Sequence, residues 1–317
     1  MNNPLSAFLQ RRPWMILDGA LATELERRGA DLADPLWSAK CLIERPDAIR
    51  AVHLDYFNAG ADVATTATYQ ATFEAFAARG ITPAAAAQLM RDAVMLAIEA
   101  RERFWARPPN RAGRLRPLVA ASIGPYGAML ADGSEYRGNY PVSDRELEEF
   151  HRPRVRVLVE AGADLLAFET LPCLREALVL ARLLQEFPSV PAWISFSCRD
   201  GAHNCEGERI AECVAQLNDF AQIVALGVNC TAPRHIAPLL QQMHGRTTKP
   251  LLAYPNSGEC YDAATKGWHA IHATEPFAAA APAWHAAGAR LIGGCCRSRP
   301  ADIAALKSGA EALAATL

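Results

Sequence analysis

Eight short apolar runs, each followed by a segment with helical features, constrain the fold of this chain more than any other feature. Strict alternation of strands and helices predicts parallel strands joined by right-handed crossovers. Eight such units predict a closed (β/α)8 TIM barrel of the α/β class. An open doubly wound sheet is the alternative, but no Gly-x-Gly-x-x-Gly sequence follows the first run. The predicted strands are residues 15–20, 62–68, 118–125, 165–171, 191–198, 223–230, 251–258 and 289–296. The predicted helices are residues 46–59, 82–106, 143–160, 174–187, 208–220, 233–244, 276–287 and 300–314.

A single domain spanning residues 1–317 is the expected organisation. The sequence has no linker or low-complexity tract that would separate two domains. A weak internal repeat supports a barrel, because Ala-Gly-Ala occurs at 59–61, 161–163 and 287–289. In each case the glycine ends a predicted helix before the chain enters a strand. The length of 317 residues suits one barrel of about 250 residues with insertions.

Composition excludes several classes of protein. Hydrophobic residues make up 51% and charged residues 21%, which permits a large core and argues against disorder. A net charge of −2 with scattered basic residues argues against nucleic acid or an anionic membrane as a partner. No apolar run approaches the roughly 20 residues that span a bilayer. Nine cysteines without a secretory signal predict a reducing cytoplasm rather than a disulfide framework.

The residues at the carboxyl ends of the predicted strands are the candidates for a functional site, because reactive groups of such barrels lie there. Strands six and eight are expected to flank strand seven, so their ends can meet over the barrel mouth. That would bring together the thiols of Cys230, Cys295 and Cys296. The full set of strand-end candidates is Asp18, Gly19, Thr66, Thr68, Glu169, Cys198, Asn229, Cys230, Gly293, Gly294, Cys295 and Cys296.

Three convergent thiolates bind a soft cation, and Zn²⁺ is the expected one. Three protein ligands leave a fourth position open, as in catalytic zinc sites. So much ligand charge makes the metal a poor Lewis acid for a carbonyl, but it suits holding a substrate thiol as thiolate. The alternative is that these cysteines are small buried apolar residues. The adjacent Gly293-Gly294, which allows close backbone approach, favours the metal site. The other six cysteines are interpreted as core, surface or loop residues, with Cys198 the one to reconsider: Cys41, Cys173, Cys198, Cys205, Cys213 and Cys260.

Two carboxylates stand at strand ends. Glu169 lies in an apolar run, and a buried carboxylate needs a partner, for which a substrate ammonium is well suited. A structural ion pair is the alternative for Glu169, and a helix-entry role is the alternative for Asp18. Thr66 and Thr68 are either site residues or ordinary β-branched strand residues.

A long loop, 126–141, is the remaining candidate for a functional segment. It carries Asp132, Glu135, Arg137 and three tyrosines. Long loops in barrels are usually functional, so this one can cover the site and contact a sulfonium cation through aromatic faces. A solvated surface loop is the alternative.

At these residues the sequence resembles the homocysteine S-methyltransferase family, and within it the bacterial S-methylmethionine–homocysteine S-methyltransferases. The resemblance covers nearly the whole chain, and its most specific motifs are Asn-Cys at 229–230 and Gly-Gly-Cys-Cys at 293–296. The other matching segments are Leu17-Asp-Gly-Ala-Leu-Ala-Thr-Glu-Leu25, Ser122-Ile-Gly-Pro-Tyr-Gly127, Asp132-Gly-Ser-Glu-Tyr136, Phe168-Glu-Thr170 and Tyr254-Pro-Asn-Ser-Gly258.

The resemblance implies one Zn²⁺ held by Cys230, Cys295 and Cys296, with the sulfur of homocysteine joining the metal. It implies that Glu169 holds the substrate amino group. Betaine-using relatives carry an aromatic residue where Gln70 stands, so betaine is the less expected donor. Cobalamin-dependent relatives need further modules, for which 317 residues leave no room. The other residues expected to line the substrate pocket are Asp18, Gly19, Thr66, Gly227 and Asn229.

The sequence therefore predicts a zinc-dependent enzyme that moves a methyl group from S-methylmethionine, or also S-adenosylmethionine, to homocysteine. Its expected partners are these small molecules, with no obligate protein partner. A betaine-type or other thiol methyltransferase on the same barrel is the first alternative. A zinc hydrolase would need histidine or carboxylate ligands, which these strand ends do not offer. A thiol-based zinc or redox sensor is the non-enzymatic alternative.

Overall fold

Eight parallel strands form a nearly closed barrel in the computed structural model, which describes residues 3–32, 37–262, 267–269 and 277–316. The order around the sheet is β1-β8-β7-β6-β5-β4-β3-β2, and every ladder is parallel. The TIM-barrel prediction is thus confirmed. The strands are β1 Met15–Ile16, β2 Val63–Thr65, β3 Leu118–Ile123, β4 Leu165–Leu171, β5 Ala192–Phe196, β6 Ile223–Asn229, β7 Leu251–Tyr254 and β8 Ala289–Ile292.

Asp62 helps to close the sheet between β1 and β2. Its N–H donates to the carbonyl oxygen of Ile16 at 2.7 Å, and its carboxylate accepts the N–H of Ile16 at 3.0 Å. Arg12 and Arg114 lie 3.5 and 3.7 Å from this buried carboxylate. Paired charges lower the cost of burying it, so an ion-paired side chain takes the place of a longer backbone ladder.

Eight helices cover the outside of the barrel. α1 and α8 begin with proline at the first turn, where its missing N–H costs nothing. α2 is capped by Thr82, whose hydroxyl accepts the N–H of Ala85, and α3 carries the predicted capping box of Ser143 and Glu146. The helices are α1 Pro46–Ala59, α2 Pro83–Trp105, α3 Asp144–Glu160, α4 Leu174–Leu184, α5 Ile210–Leu217, α6 Pro233–Met243, α7 Phe277–Ala286 and α8 Pro300–Ala314.

Two apolar layers hold the barrel together. Successive strand residues point to opposite faces, and both faces of β4, β5 and β6 are buried. One layer fills the inside of the barrel and includes Leu165, Ala167 and Trp193. The larger layer packs the outer strand faces against the helices. The alternation that sends Leu165 and Ala167 inward also sends Glu169 inward, at the carboxyl end of β4.

Several strands end earlier than predicted. β7 ends at Tyr254 rather than 258, and β8 ends at Ile292 rather than 296. The polar and glycine residues that follow leave the sheet and form the loops at the mouth of the barrel. α4 and α5 are likewise shorter than predicted, and the predicted start of the seventh helix, residue 276, lies outside the described residues. No helix in the described part of the chain is long and apolar enough to cross a membrane.

The segment 126–141, predicted as a long loop, contains regular structure. This segment forms a helix, Tyr126–Leu130, and a 3-10 helix, Ser134–Tyr136. The buried carboxylate of Glu176 anchors it, accepting the N–H of Tyr126 at 2.6 Å and the hydroxyl of Tyr140 at 2.9 Å. Additional short elements that the sequence reasoning missed are the helices Ser6–Leu9, Leu21–Arg27, Lys40–Glu44 and Phe73–Ala77, the 3-10 helices Trp37–Ala39 and Pro108–Arg111, and an antiparallel pair, Cys260–Asp262 with Gly267–His269.

The tight contact between β6 and β7 gives a first test of the fold. A Cβ atom at Gly227 would lie 1.9 Å from the carbonyl oxygen of Leu252. We therefore expect Gly227→Ala to lower the free energy of unfolding by about 1–3 kcal/mol or more, because backbone must move. Thermal and urea unfolding measure this. Gly309→Ala, within α8, is the control. Its Cβ would lie 3.7 Å from the side chain of Trp14, an ordinary contact distance. The free energy of unfolding should therefore stay the same or rise by about 1 kcal/mol, because alanine favours the helix more than glycine does. Equal stability of the two variants would contradict the packing.

Candidate metal centre and substrate pocket

The backbone after β7 positions all three predicted thiols. Tyr254 accepts the N–H of Cys230 through its carbonyl oxygen at 3.1 Å, and Pro255 accepts the N–H of Cys295 at 2.8 Å. The carbonyl oxygen of Cys296 in turn accepts the N–H of Ser257 at 3.2 Å. The turns that follow β6 and β8 are therefore tied to the same strand end, which lies between them.

These turns bring the three sulfur atoms into one cluster. The Sγ atoms of Cys230 and Cys296 lie 3.5 Å apart, and those of Cys295 and Cys296 lie 4.0 Å apart. All three lie within 4.8 Å of one another. Cys230 has a φ of 47°, a left-handed conformation that is strained for a residue with a side chain. Such strain is typical of functional sites, and here it turns the thiol toward its two partners.

A glycine lets the β8 end approach β1 closely enough to place the Cys-Cys pair. A Cβ at Gly293 would lie 2.4 Å from the Cβ of Leu17 and 2.8 Å from the carbonyl oxygen of Asp18. The N–H of Gly294 donates to that same carbonyl oxygen at 2.9 Å. The Gly-Gly sequence is thus needed for packing as well as for the position of the thiols.

The interaction among the thiols perturbs their ionisation. Hydrogen bonds from Cys295 and Cys296 lower the pKa of the Cys230 thiol below its ordinary value. The same contact with Cys230 raises the pKa of Cys295 and of Cys296. Three thiolates so close together repel one another, so all three thiols ionise only when a positive charge is near them. In the described part of the chain this is the one group of histidine, cysteine and acidic residues whose geometry would hold a metal ion.

The remaining cysteines lie elsewhere, in agreement with their interpretation as core, surface or loop residues. Cys198, the strand-end cysteine, is buried, and its N–H donates to the hydroxyl of Thr231 at 3.0 Å. Cys205 is partly exposed, and the side chain of Cys260 lies outside the described residues. The other three are fully buried, namely Cys41, Cys173 and Cys213.

Asn229 and Tyr136 support the sulfur cluster. The Asn229 side chain is fixed by Thr170, accepting its N–H at 2.7 Å and donating to its hydroxyl at 2.8 Å. Its amide nitrogen also lies 3.9 Å from the sulfur of Cys295. The hydroxyl of Tyr136 lies 3.1 Å from the sulfur of Cys230. Sequence reasoning placed tyrosines of the 126–141 segment near the site but did not single out Tyr136.

The sulfur cluster opens into a cavity of about 420 Å³, a volume in the range of small-molecule sites. Seven of the nine residues predicted for the metal centre and the substrate pocket line it, while Gly227 and Asn229 are not among the described lining residues. The strand-end candidate Gly294 lines it as well. Sequence reasoning missed Thr65, Ser122, Tyr69 and Tyr254 as lining residues, because their signal is only a polar residue at the inward position of a strand end. The predicted residues that line the cavity are Asp18, Gly19, Thr66, Glu169, Cys230, Cys295 and Cys296.

Glu169 is held rigidly at the bottom of this cavity. One carboxylate oxygen accepts the hydroxyl of Ser122, and the other accepts the hydroxyl of Tyr254 at 3.1 Å. Tyr254 is itself fixed by Ser195 at 2.6 Å and by the indole N–H of Trp193 at 3.2 Å. Burial raises the pKa of Glu169 to about 7. An ammonium group in the cavity would favour its ionised form.

Asp18 is the second buried carboxylate of the cavity. It accepts the N–H of Thr65 at 2.7 Å and the hydroxyl of Thr65 at 2.5 Å. Burial raises its pKa to about 7, although these hydrogen bonds oppose the shift. Thr66 and Thr68 bind the backbone of Ser122, which gives both threonines a structural role at the same strand ends.

The charge of the lining is one-sided. It contains five carboxylate residues, and none of its described residues is lysine, arginine or histidine. A cavity with walls of one charge concentrates ligands of the opposite charge. We conclude that it suits a cationic ligand. The acidic residues are Asp18, Glu26, Asp31, Glu135 and Glu169.

The fold and the site together define a TIM-barrel protein with a three-thiol centre at the catalytic end of its barrel. The sequence model described as Homocysteine S-methyltransferase matches residues 15–310. The chain therefore belongs to the homocysteine S-methyltransferase family of enzymes, and the family, fold and enzyme class predicted from the sequence are confirmed.

Relatives from bacteria are similar over their full length. The homocysteine S-methyltransferase YbgG of Bacillus subtilis is 54% identical over 314 residues, which cover 99% of this chain and all of that protein. The homocysteine S-methyltransferase of Escherichia coli is 55% identical over 310 residues, 97% of this chain and 98% of that protein. The metallated crystal structure of the homocysteine methyltransferase MmuM from Escherichia coli superposes with a TM-score of 0.87 at 52% identity, covering 96% of this chain and 99% of that one.

The buried state of Asp18 predicts a pH dependence of stability. Its pKa is about 7 in the folded protein against an ordinary 3.8, so the folded state binds the extra proton between about pH 4 and 7. The contribution of Asp18 to the free energy of unfolding therefore falls as pH rises through this window. Asp18→Asn removes this titratable group. The melting temperature of the variant minus that of the wild type should therefore increase from pH 4 to pH 7. Calorimetry of the ligand-free proteins measures this, and a pH-independent difference would contradict the burial.

Proposed function

We propose that the protein transfers a methyl group from S-methylmethionine to the sulfur of homocysteine, so that two molecules of methionine result. The observation that carries this proposal is the cluster of three sulfurs within 4.8 Å at the mouth of a carboxylate-lined cavity. The names of the relatives, homocysteine S-methyltransferases, support the acceptor.

We propose Zn²⁺ as the metal, held by Cys230, Cys295 and Cys296. Four-coordinate zinc with bonds to sulfur of about 2.3 Å separates its sulfur ligands by about 3.8 Å. Two of the three sulfur–sulfur separations, 3.5 and 4.0 Å, bracket that value. An all-sulfur donor set also selects a soft ion over magnesium or calcium. When bound, zinc would stabilise the thiolate form of a substrate thiol at neutral pH. A reducing compartment suits a site built from free thiols.

Glu169 and Asp18 would hold the amino group of homocysteine. Both carboxylates line the cavity that the sulfurs share, and hydrogen bonds from neighbouring hydroxyl groups fix both. An ammonium beside them removes the penalty of burying their negative charge. The acceptor is thus oriented at its amino end, while its sulfur lies toward the cluster.

The acidic cavity supports a sulfonium as the methyl donor. S-methylmethionine carries one net positive charge, whereas betaine carries none. In the reaction the acceptor sulfur forms a bond to the methyl carbon, and the electron pair of the broken bond returns to the donor sulfur. The leaving group is a neutral thioether, so no side chain needs to supply a proton. The residues contribute mainly by holding the two sulfurs in line.

The alternatives predict different results in one assay. Purified protein would be analysed for metal and tested for methionine formation from homocysteine with S-methylmethionine, S-adenosylmethionine and betaine in turn. We expect one zinc per chain and the highest kcat/KM with S-methylmethionine. Zinc binding without methyl transfer from any donor would favour a zinc or redox sensor. A preference for betaine would favour the betaine-type alternative.

Removing one sulfur tests the metal centre. Cys296→Ala should lose zinc and methyl transfer together, because two thiolates cannot replace a three-ligand site. Metal content and turnover would be measured on the same sample. Cys205→Ser is the matched control, since Cys205 is a free, partly exposed cysteine outside the cluster, and it should keep both. Full turnover by the Cys296→Ala protein would refute the assignment.

Neutralising Glu169 tests the acceptor pocket. Glu169→Ala and the isosteric Glu169→Gln should raise the KM for homocysteine by about 10- to 100-fold, the worth of a charge-assisted hydrogen bond. The KM for the methyl donor should change little. Steady-state kinetics with each substrate varied separately would show the split. An unchanged homocysteine KM would remove Glu169 from the pocket.

A further inference from the structure

Two residues that line the cavity each carry a buried, unsatisfied side-chain oxygen. Glu135 Oε2 and Gln70 Oε1 accept no hydrogen bond from any residue in the described ranges. Glu135 is only 7% exposed and Gln70 only 8%, yet both line the cavity. Buried acceptors without donors are rare in folded proteins, because each loses its hydrogen bonds to water without replacement. Two of them in one cavity indicate a ligand that donates hydrogen bonds.

Other contacts hold the Gln70 side chain and the Glu135 backbone in place. The amide nitrogen of Gln70 donates to the carbonyl oxygen of Ala128 at 2.9 Å. Since a carbonyl accepts only from the NH2 group, this bond fixes which way the amide points and leaves Oε1 as the unpaired acceptor. The carbonyl oxygen of Glu135 accepts the hydroxyl of Ser197 at 2.9 Å, which ties the residue to the loop after β5. Gln70 Oε1 is therefore an anchored acceptor, and the Glu135 side chain extends from an anchored backbone.

The two acceptors differ from the carboxylates proposed for homocysteine. Glu169 and Asp18 have their own hydrogen-bond donors, whereas Glu135 lies in the 3-10 helix Ser134–Tyr136 of the 126–141 segment. Burial is the largest cause of the raised pKa of the Tyr69 hydroxyl, and the charges of Glu135 and Cys230 raise it further. Both charged groups therefore lie near the Tyr69 ring. The next residue, Tyr136, contacts the sulfur of Cys230. Glu135, on the 126–141 segment, thus lies close to the sulfur cluster.

We propose that Glu135 Oε2 and Gln70 Oε1 bind the α-ammonium group of the methyl donor. This inference rests on the proposed function, in which the donor is a sulfonium amino acid. An ammonium offers three N–H donors, which matches two acceptors without partners. A sulfonium offers none, so it would leave both oxygens unsatisfied. The amino group of the methyl donor therefore binds beside the 126–141 segment. The sulfonium methyl group of the donor is directed toward the sulfur cluster.

Neutralising Glu135 tests this assignment. Glu135→Gln keeps the shape of the side chain but removes its charge, so the KM for S-methylmethionine should rise about tenfold or more. The KM for homocysteine should change by less than about twofold. A merely structural role would instead lower the melting temperature and shift both constants together. Gln70→Met, which removes the second acceptor, should raise the donor KM in the same selective way.

The matched control is Asp132→Asn, which removes a carboxylate charge three residues away on the same segment. The Asp132 side chain is 54% exposed, pairs with Arg137 and does not line the cavity, so the donor KM should stay within about twofold of wild type. A rise as large as that of Glu135→Gln would mean that the charge of the segment acts at long range, and would overturn the direct contact.

A donor without the amino group separates the two charges of the substrate. For the wild-type protein, the KM for 4-(dimethylsulfonio)butanoate should exceed the KM for S-methylmethionine by the same factor by which Glu135→Gln raises the KM for S-methylmethionine. Glu135→Gln should not raise the KM for this analogue any further. If Glu135→Gln raised the KM for this analogue as much as the KM for S-methylmethionine, the inference would be overturned. An unchanged KM of Glu135→Gln for S-methylmethionine would also overturn it. Both results would leave the proposed function intact. Failure of the wild-type protein to form methionine from S-methylmethionine would contradict the proposed function itself.

Discussion

The site depends on a few backbone hydrogen bonds at the end of β7. The carbonyl oxygens of Tyr254 and Pro255 accept the N–H groups of Cys230 and Cys295, which come from strands on either side. Parallel strands in a closed barrel cannot slip without breaking their neighbours' ladders, so these bonds fix the sulfurs to the most rigid part of the fold. Tyr254 then extends the same support inward, because its hydroxyl holds Glu169. The three-sulfur cluster and the position of Glu169 thus share one structural origin.

Buried carboxylates dominate the electrostatics of the cavity. Burial raises the pKa values of Asp18, Glu135 and Glu169 to about 7, so each carboxylate gains charge readily when a cation binds beside it. The proposed substrates carry two ammonium groups and one sulfonium, and the carboxylates are divided between them. Negative charge on the cavity walls also disfavours anionic competitors.

The sequence predicts the barrel well because hydrophobic period and strict alternation are local signals. It also predicts the convergence of Cys230 with Cys295 and Cys296, since parallel strands end at one rim. It overestimates strands such as β7 and β8, because residues 255–258 and 293–296 directly follow apolar runs but form hydrogen bonds between loops instead of extending the ladders. The unpaired state of Glu135 depends on contacts between distant segments, and no local pattern signals it.

The direct test of the central claim is the number of sulfur atoms around the bound metal. X-ray absorption at the zinc edge would be recorded on wild-type protein loaded with one equivalent of zinc, without substrates. The account predicts three sulfur neighbours, one from each of Cys230, Cys295 and Cys296. A spectrum with two or fewer sulfurs, or with histidine nitrogen in their place, would contradict it.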